Sequence, residues 1–329
     1  MSNKFHSIVD SFQKKRILVI GDVMIDEYIW GSVSRVSPEA PVPIVVEKKR
    51  ERRPGGAFNV INNLLTLKTK PFVAGVTGKD SDGEFVKKYL EQNGVDSKGL
   101  IITSDRSTTI KTRIIGNNQQ IVRLDSENTK QIDDITTGKI LKYIDDIADD
   151  ISGIIISDYN KGVINEKIQQ KAKSLHAEKG IYVSVDPQIK NYRLYNELSL
   201  ITPNHHEAGA FVGVLIEDEK SLHETAARIM DDINPELLLI TLGEKGMMLY
   251  GRDRKFIHVP TVAKHVFDVS GAGDTVIAVF TLSMICGASP VESAVLSNIA
   301  AGYVVGEPGT AAIPLEILKD RIKPEYILI

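Results

Sequence analysis

The sequence predicts an α/β fold in which helices cover both faces of a central, mostly parallel β-sheet. Short runs rich in β-branched residues end on a polar residue or a glycine, as in ILVIGD at 17–22 and GIIISD at 153–158. Stretches with the apolar spacing of an amphipathic helix separate these runs. The runs are apolar throughout, which is typical of strands that are buried on both faces of a parallel sheet.

Five runs are predicted strands, and seven other stretches are predicted helices. The strands are 17–22, 153–158, 181–186, 200–204 and 237–243, and the helices are 57–67, 82–93, 131–148, 166–178, 220–233, 273–285 and 290–305. In sheets of this kind ligands bind beyond the carboxyl ends of the strands. We therefore expect the polar residues that end these runs, Asp22 and Asp158 among them, to lie at a common site.

Two segments interrupt the alternation of strands and helices. Residues 32–46 and 108–125 show strand-like patterning, and the second contains a Gly-Asn-Asn turn at 116–118. We expect a small antiparallel β lid, inserted at about 23–46 and 108–125 in a single domain that spans residues 1–329. A few isolated strands cannot bury both faces, so the lid should cover a ligand or pair with a second copy of the chain. The second arrangement predicts a homodimer through the lid.

The composition argues against several classes of partner. The 329 residues carry a formal net charge of −3 with a pI near 6.2, so no global basic field favours nucleic acid or an anionic membrane. The single cysteine, Cys286, excludes an intramolecular disulfide, and no apolar run reaches the roughly 18 residues of a membrane span. We expect a cytoplasmic protein whose ligands are small molecules.

The string DVSGAGD at 268–274 leads directly into a predicted helix. Small residues allow the amides of Gly271, Ala272 and Gly273 to turn toward one point, and the helix N-terminus adds partial positive charge. A phosphoryl group in its transition state would fit such an anion hole, and Asp274 at its rim could accept the proton of an attacking hydroxyl. The alternative is an ordinary glycine turn in which Asp274 only caps the helix.

Two further strings are weak when taken individually. In RPGGAFN at 53–59, Gly55 and Gly56 would let a ligand approach the backbone, and Asn59 could bond to hydroxyls. In PNHHE at 203–207, Asn204 and Glu207 stand three residues apart, a spacing that lets both face a solvated Mg²⁺ and nucleotide.

Together and in this order, the three strings resemble the signatures of the PfkB carbohydrate kinases, and the resemblance covers about residues 14–323. It implies a ribokinase-like fold and the ATP-dependent transfer of a phosphoryl group to an alcohol group of a sugar, with Mg²⁺. It makes Asp274 the catalytic base and Gly271, Ala272 and Gly273 the anion hole. The absence of a Walker loop fits this family.

The resemblance also assigns residues on the nucleotide side. Glu207 would hold Mg²⁺ through water, and a monovalent cation, K⁺, would lie near the Asp268 loop. The implied nucleotide-side residues are Asn204, Glu207, Thr241, Gly243, Gly246, Asp268 and Asn298.

A narrower resemblance concerns the substrate. Residues 34–43, 53–57, 118–125 and 157–162 are similar to kinases that phosphorylate D-glycero-β-D-manno-heptose 7-phosphate at O1, in the biosynthesis of ADP-heptose for lipopolysaccharide. The implied sugar-side residues are Asp22, Asp26, Gly55, Gly56, Asn59, Arg113, Gln120, Arg123, Asp158 and Lys161. Because the chain stops soon after the kinase signature, we expect no nucleotidyltransferase half.

A phosphorylated substrate needs positively charged partners. Five cations lie in or next to the sugar-side segments, and arginine can contact phosphate through two hydrogen bonds. They are Arg53, Arg113, Arg123, Lys161 and Lys190. Of these, we expect Arg113 and Arg123 to be the main phosphate contacts.

Three other functions remain open at this point. The chain could phosphorylate another acceptor, such as fructose 6-phosphate, a related hexose phosphate or ribose. It could be a non-catalytic sensor of sugar phosphates, although a sensor would not need Asp274, the glycine loop and Asn204 with Glu207 together. A nucleoside kinase would be expected to stack aromatic rings on its acceptor, and only 6% of the residues are aromatic.

Overall fold

The computed structural model describes residues 2–263 and 265–323. The strands are β1 (Arg16–Gly21), β2 (Val23–Val36), β3 (Pro43–Gly56), β4 (Lys70–Gly78), β5 (Leu100–Thr103), β6 (Thr109–Gly116), β7 (Gln119–Ser126), β8 (Gly153–Ser157), β9 (Tyr182–Asp186), β10 (Leu200–Ile201), β11 (Leu237–Thr241), β12 (Met247–Gly251) and β13 (Phe256–Val259). The helices are α1 (Ser2–Asp10), α2 (Ala57–Thr66), α3 (Ser81–Gln92), α4 (Asp134–Ile147), α5 (Glu166–Lys179), α6 (His205–Val212), α7 (Glu219–Ile233), α8 (Ala272–Ile285), α9 (Pro290–Val304) and α10 (Leu315–Asp320).

A main sheet forms the centre of the fold. Its strand order is β13-β12-β11-β10-β9-β8-β1-β4-β5, and only β12 and β13 run antiparallel to their neighbours. The five predicted strands are β1, β8, β9, β10 and β11, and they are consecutive neighbours in the parallel part of the sheet. This confirms the predicted sheet and brings the polar residues at their carboxyl ends to one edge.

Helices pack on both faces of the main sheet and form two hydrophobic cores. In β1, Ile17 and Val19 belong to one core, whereas Leu18 and Ile20 belong to the other, because successive side chains of a strand point to opposite faces. The first core includes α2, α8 and α9, and the second includes α4, α5 and α7. The α8 helix is buried from Asp274 to Ser283, so its N-terminal end is held firmly beside the sheet.

The lid is the second sheet, formed by β2, β3, β6 and β7 in the order β3-β2-β6-β7. Its two hairpins are antiparallel, as expected, and they join through a parallel pairing of β2 with β6. The predicted bound at residue 46 is wrong, because β3 continues to Gly56. The charged residues in this extension are compatible with a strand because they form cross-strand ion pairs: Glu27 accepts hydrogen bonds from Arg50 Nη1 at 3.1 Å and from Arg52 Nε at 3.0 Å.

The seven predicted helices are present, with ends that differ by three residues or fewer. Sequence patterns missed α1, α6 and α10, together with β4, β5, β12 and β13. Most of these elements are short, and β5, β12 and β13 have four or five residues each. Periodicity is weak over so few positions.

Candidate active site

Asp274 lies in the first turn of α8 and is 2% exposed. Asn59 Nδ2 donates a hydrogen bond to Asp274 Oδ2 at 2.8 Å, and the hydroxyl of Tyr159 donates to Oδ1 at 3.0 Å. The first donor comes from α2 and the second from the loop after β8, so three distant parts of the chain meet at one carboxyl group. Each oxygen therefore has a fixed partner, and the orientation of the carboxylate is set before any ligand binds.

Burial is the main influence on the titration of Asp274. It raises the pKa of this carboxyl group from 3.8 to about 7, while the hydrogen bonds from Asn59 and Tyr159 act in the opposite direction. The nearby charge of Asp26 raises the pKa further, and that of Lys111 lowers it. A carboxylate with a pKa near neutrality is well suited to accept a proton from a hydroxyl group.

The glycine loop before α8 brings its backbone close to Asn59. Gly271 has φ of +78°, and a side chain there would place its Cβ 2.6 Å from Asn59 Nδ2. The amide of Ala272 already donates to the carbonyl oxygen of Val269 at 3.2 Å. Of the three amides assigned to the anion hole from the sequence, those of Gly271 and Gly273 are therefore the better placed to receive an anion.

Asp22 directly follows β1, and Asp158 directly follows β8. Both carboxylates accept hydrogen bonds from other groups of the protein. Asp22 accepts hydrogen bonds from the amides of Tyr159 at 2.8 Å and Lys161 at 3.0 Å. Burial, followed by the charge of Asp158, raises the pKa of Asp22 to about 6. Asp158 accepts from the Tyr195 hydroxyl at 2.5 Å and from the amide of Asn160 at 2.7 Å. Both carboxylates thus hold the loop that carries Tyr159.

The sugar-side residues of the lid occupy its two hairpins. Asp26 is buried and accepts a hydrogen bond from Arg113 Nη1 at 2.5 Å. Gly55 packs against it, since a Cβ there would come 2.6 Å from Asp26 Oδ2. The next glycine, Gly56, ends β3 and precedes α2 directly. A side chain larger than that of glycine at position 55 would therefore collide with the Asp26 carboxylate.

The remaining predicted sugar-side residues pair with nearby carboxylates or lie at the surface. Arg123 pairs with Asp125 in its own strand at 2.9 Å, and Lys161 pairs with Glu127 at 2.7 Å. Gln120 is exposed near the turn of its hairpin, opposite Ile115. The structure therefore brings Asn59 and Asp26 near Asp274, pairs Arg113 with Asp26, and places Gln120 near the turn of its hairpin.

Asn204 and Glu207 form a capping box at the start of α6. Asn204 Oδ1 accepts from the amide of Glu207 at 3.0 Å, and Glu207 Oε2 accepts from the amide of Asn204 at 2.9 Å. Thr241, at the end of β11, forms a bridge with Asn204 in the backbone. Burial raises the pKa of Glu207. One oxygen of each capping side chain is thus committed to the helix terminus.

The sequence motifs missed Asp186, which ends β9 at the same edge of the sheet. Burial raises the pKa of Asp186 well above its usual range, and the negative charges of Asp274 and Glu207 raise it further. The signal was present, since Asp186 ends a predicted strand, but no glycine string or repeated polar spacing marks it. The negative charges of Asp274, Glu207 and Asp158 therefore all act on Asp186.

A cavity of about 780 Å³ lies beside residues that the sequence assigned to the nucleotide, and Gly243 and Pro260 are among the residues that line it. Asn298 Nδ2 donates to the carbonyl oxygen of Pro260 at 2.6 Å, so this residue supports the wall of the cavity. Gly246 follows Gly243 in the same turn and lies against the carbonyl oxygen of Val259. This volume is within the range of small-molecule and nucleotide sites.

Asp268 connects two loops beside the glycine turn. Its Oδ1 accepts from the amide of Ser270 at 2.9 Å, and its Oδ2 accepts from the amide of Gly309 at 3.1 Å. Arg53, which the sequence suggested as a phosphate contact, instead donates to the carbonyl oxygen of Pro308 and pairs with Glu51. Asp268 and Arg53 thus hold the chain around residues 308–309 between the glycine loop and the lid.

The described residues contain neither a cluster of metal-ligating side chains nor a membrane-spanning helix. Outside Lys264 and the two chain ends, no three His, Cys, Asp or Glu side chains form a group that could hold a metal ion by themselves. In the same residues, no helix has the length and apolar character needed to cross a bilayer.

The sequence of the chain matches a family of carbohydrate kinases over most of its length. Residues 14–318 match the model of the pfkB family carbohydrate kinases. The chain belongs to this family. It is an ATP-dependent carbohydrate kinase with a ribokinase-like fold, as the sequence predicted.

The chain is also similar to individual curated proteins. The chain is 41% identical over 327 residues to the bifunctional protein HldE of Desulfatibacillum aliphaticivorans. The aligned region covers 99% of this chain and 67% of that protein. It is 40% identical over 302 residues to the bifunctional protein HldE of Helicobacter pylori strain J99, covering 92% of the chain and 65% of the relative. The chain thus spans about two thirds of the length of these relatives.

Two solved structures share the fold at low sequence identity. The ribokinase of Arabidopsis thaliana complexed with ribose and ATP has a TM-score of 0.75 at 18% identity, with 94% of this chain and 99% of that chain covered. Phosphofructokinase-2 from Escherichia coli, in complex with substrates and products, has a TM-score of 0.75 at 16% identity, with 93% and 97% covered.

Proposed function

We propose that the protein phosphorylates D-glycero-β-D-manno-heptose 7-phosphate at O1 to give the 1,7-bisphosphate, as a step in ADP-heptose biosynthesis. The identity of about 40% to bifunctional proteins HldE supports this substrate, together with the lid segments that resemble heptose 7-phosphate kinases. The observation that carries the chemistry is Asp274, buried at the start of α8 with both carboxylate oxygens held by Asn59 and Tyr159.

In the proposed reaction Asp274 accepts the proton of the O1 hydroxyl. A bond forms between O1 and the γ-phosphorus of ATP, and the bond between that phosphorus and the oxygen that leaves with ADP breaks. The amides of Gly271 and Gly273, at the positive end of the α8 dipole, stabilise the negative charge on the transferred group. The residues that hold Asp274 reduce the reorganisation needed when the hydroxyl arrives.

The acidic groups near Asp274 fit a magnesium ion. Asp186 and Glu207 are close enough for the charge of Glu207 to raise the pKa of Asp186, and a divalent cation would relieve this repulsion. Glu207 commits Oε2 to its capping box, so Oε1 would hold Mg²⁺ through water. When bound, Mg²⁺ supplies positive charge to the phosphates of ATP. A K⁺ ion near the Asp268 loop stays a prediction.

We also propose that two copies of the chain associate through their lids. Several large apolar side chains of the lid are exposed: Val36 by 65%, Val42 by 51%, Val122 by 49% and Leu124 by 63%. Burying such side chains against a second copy would stabilise a dimer. The cytoplasmic location is likewise a prediction, supported by the use of ATP.

The experiment that tests the proposed function measures ADP release from Mg·ATP with heptose 7-phosphate, fructose 6-phosphate, ribose and adenosine. Asp274→Asn is the blank. Turnover of heptose 7-phosphate alone, lost in the blank, is the expected result. Preferred turnover of another acceptor would refute the heptose assignment and keep the kinase.

A further inference from the structure

Lys111 lies close to the proposed base, although no sequence motif marked it. It belongs to β6, where it shares a face with Arg113 and pairs in register with Asp26 on β2 and Asp125 on β7. Its Nζ lies 5.5 Å from the centroid of the Tyr159 ring, and the hydroxyl of this ring donates to Asp274. The ring of Tyr159 therefore contacts both the ammonium group, over its face, and the base, through its hydroxyl.

The other cations of this region already have carboxylate partners. Arg113 pairs with Asp26, Arg123 with Asp125, Lys161 with Glu127 and Arg53 with Glu51. The two carboxylates opposite Lys111 on the adjacent strands, Asp26 and Asp125, are thus already paired with Arg113 and Arg123. Within residues 2–263 and 265–323, Lys111 Nζ has no carboxylate at ion-pair distance, and its one close partner is the aromatic ring.

The surroundings of Lys111 favour an anion. The side chain is partly buried, and a partly buried ammonium group without a counter-ion is costly. Burial lowers the pKa of Lys111, and the charge of Lys161 lowers it further, whereas Asp125 and Asp26 raise it. A phosphate dianion at this position would restore the balance of charge.

We propose that Lys111 binds the phosphate group that the acceptor sugar already carries, and thereby selects phosphorylated over unphosphorylated sugars. This rests on the proposed function, because it takes the acceptor to be a sugar phosphate. The hydroxyl to be phosphorylated meets Asp274, which the Tyr159 hydroxyl holds, and the existing phosphate meets Lys111 beside the face of the Tyr159 ring. Arg123 and Lys161, whose charges both act on Lys111, add to the positive potential there.

The test compares Lys111→Gln with the unaltered enzyme on two acceptors, heptose 7-phosphate and the same heptose without its phosphate. Loss of one charge-assisted contact should lower kcat/KM for heptose 7-phosphate by about 10- to 100-fold. At a pH well above 7, where Asp274 stays ionised without the charge of Lys111, we expect kcat/KM for the unphosphorylated heptose and KM for Mg·ATP to stay unchanged, which also shows that the variant is folded. Lys111→Arg, which keeps the charge, should retain most of the selectivity.

Lys49→Gln is the matched control, because Lys49 is also a lid lysine over an aromatic ring, 5.0 Å from the centroid of Trp30. We expect it to leave the preference for the phosphorylated sugar unchanged. An equal loss on both acceptors would mean that Lys111 acts on the transferred phosphoryl group or on the fold, and the inference would be wrong. No loss on either acceptor would also overturn it.

The two hypotheses can fail separately. If the enzyme prefers another phosphorylated sugar, the heptose assignment fails, and the same comparison is made with that sugar and its unphosphorylated form. If it accepts only unphosphorylated sugars, both hypotheses are wrong. Calorimetry of heptose 7-phosphate binding without ATP gives a second readout, in which Lys111→Gln should weaken binding to a similar extent.

Discussion

The carboxyl edge of the main sheet and the lid hold their charged groups in different ways. At the sheet edge, Asp22, Asp158 and Asp274 each accept at least two hydrogen bonds from protein groups and are almost fully buried. In the lid, β7 is exposed along nearly its whole length, and Lys111 has no carboxylate partner among the described residues. These three carboxylates are thus held in place by the protein itself, whereas the lid has contacts left to make with a ligand or a second copy.

The largest effect should come from Asp274→Asn at the sheet edge. An amide cannot accept the proton of the sugar hydroxyl, so kcat should fall by about 10³-fold or more with little change in Mg·ATP binding. Steady-state kinetics and calorimetric titration of the nucleotide measure the two quantities. Asp146→Asn, at an exposed residue paired with Lys142 at 2.7 Å, is the control and should behave like the unaltered enzyme. Near-normal turnover of Asp274→Asn would show that the base lies elsewhere.

A second substitution tests whether catalysis depends on the close packing of Gly271 against Asn59. Gly271→Ala introduces strain at positive φ and a Cβ 2.6 Å from Asn59 Nδ2, so Asn59 and Asp274 should shift. We expect a loss of about 100-fold in kcat, as for other small misplacements of reacting groups. Gly94→Ala is a matched control, since φ is +72° there and a Cβ would meet nothing within 4 Å. It should cost about 1–2 kcal/mol of stability and no activity.

If Gly271→Ala retained its activity, the glycine loop would be more adaptable than the structure indicates. A crystal structure of the variant would then show whether the Asn59 contact with Asp274 persists.

Tyr159→Phe connects the two regions, because its hydroxyl contacts Asp274 and its ring contacts Lys111. The hydroxyl stabilises the ionised carboxylate and so lowers the pKa of Asp274, which burial has raised to about 7. Without it the pKa rises, and the base is ionised only at higher pH. The acid limb of the kcat/KM profile should therefore move upward from about pH 7, by up to roughly one pH unit.

Tyr250→Phe is the control for this measurement, since the Tyr250 hydroxyl bonds to His223 Nδ1 at 2.9 Å. Its acid limb should not move. A shift of the Tyr159→Phe limb toward lower pH would contradict the assigned direction of the hydrogen bond.

The smallest effect on turnover should follow from a charge placed on the exposed face of the lid. Leu124→Lys introduces a charge at a residue that is 63% exposed, and it should convert a lid-mediated dimer into monomers in light scattering. Ile135→Lys, at a residue of α4 that is 71% exposed, should leave the mass unchanged. An unaltered chain that is already monomeric at micromolar concentration would remove the proposed dimer.

Local sequence was sufficient to predict much of the fold and part of the site. Runs of apolar, β-branched residues specified five adjacent parallel strands, because a strand buried on both faces needs such a run regardless of its neighbours. The glycine string before Asp274 specified a turn into a helix for a similarly local reason. The family followed from three such strings in order.

Only the tertiary structure showed which side chains meet. Asn59, Tyr159 and Asp274 are separated by at least 100 residues from one another, yet they form one hydrogen-bonded group. The structure likewise assigned Asp22 and Asp158 to the Tyr159 loop, and it left Lys111 without a carboxylate partner in the described chain. Backbone preferences are set by neighbouring residues, whereas hydrogen bonds and ion pairs between distant segments depend on how the strands and helices pack together.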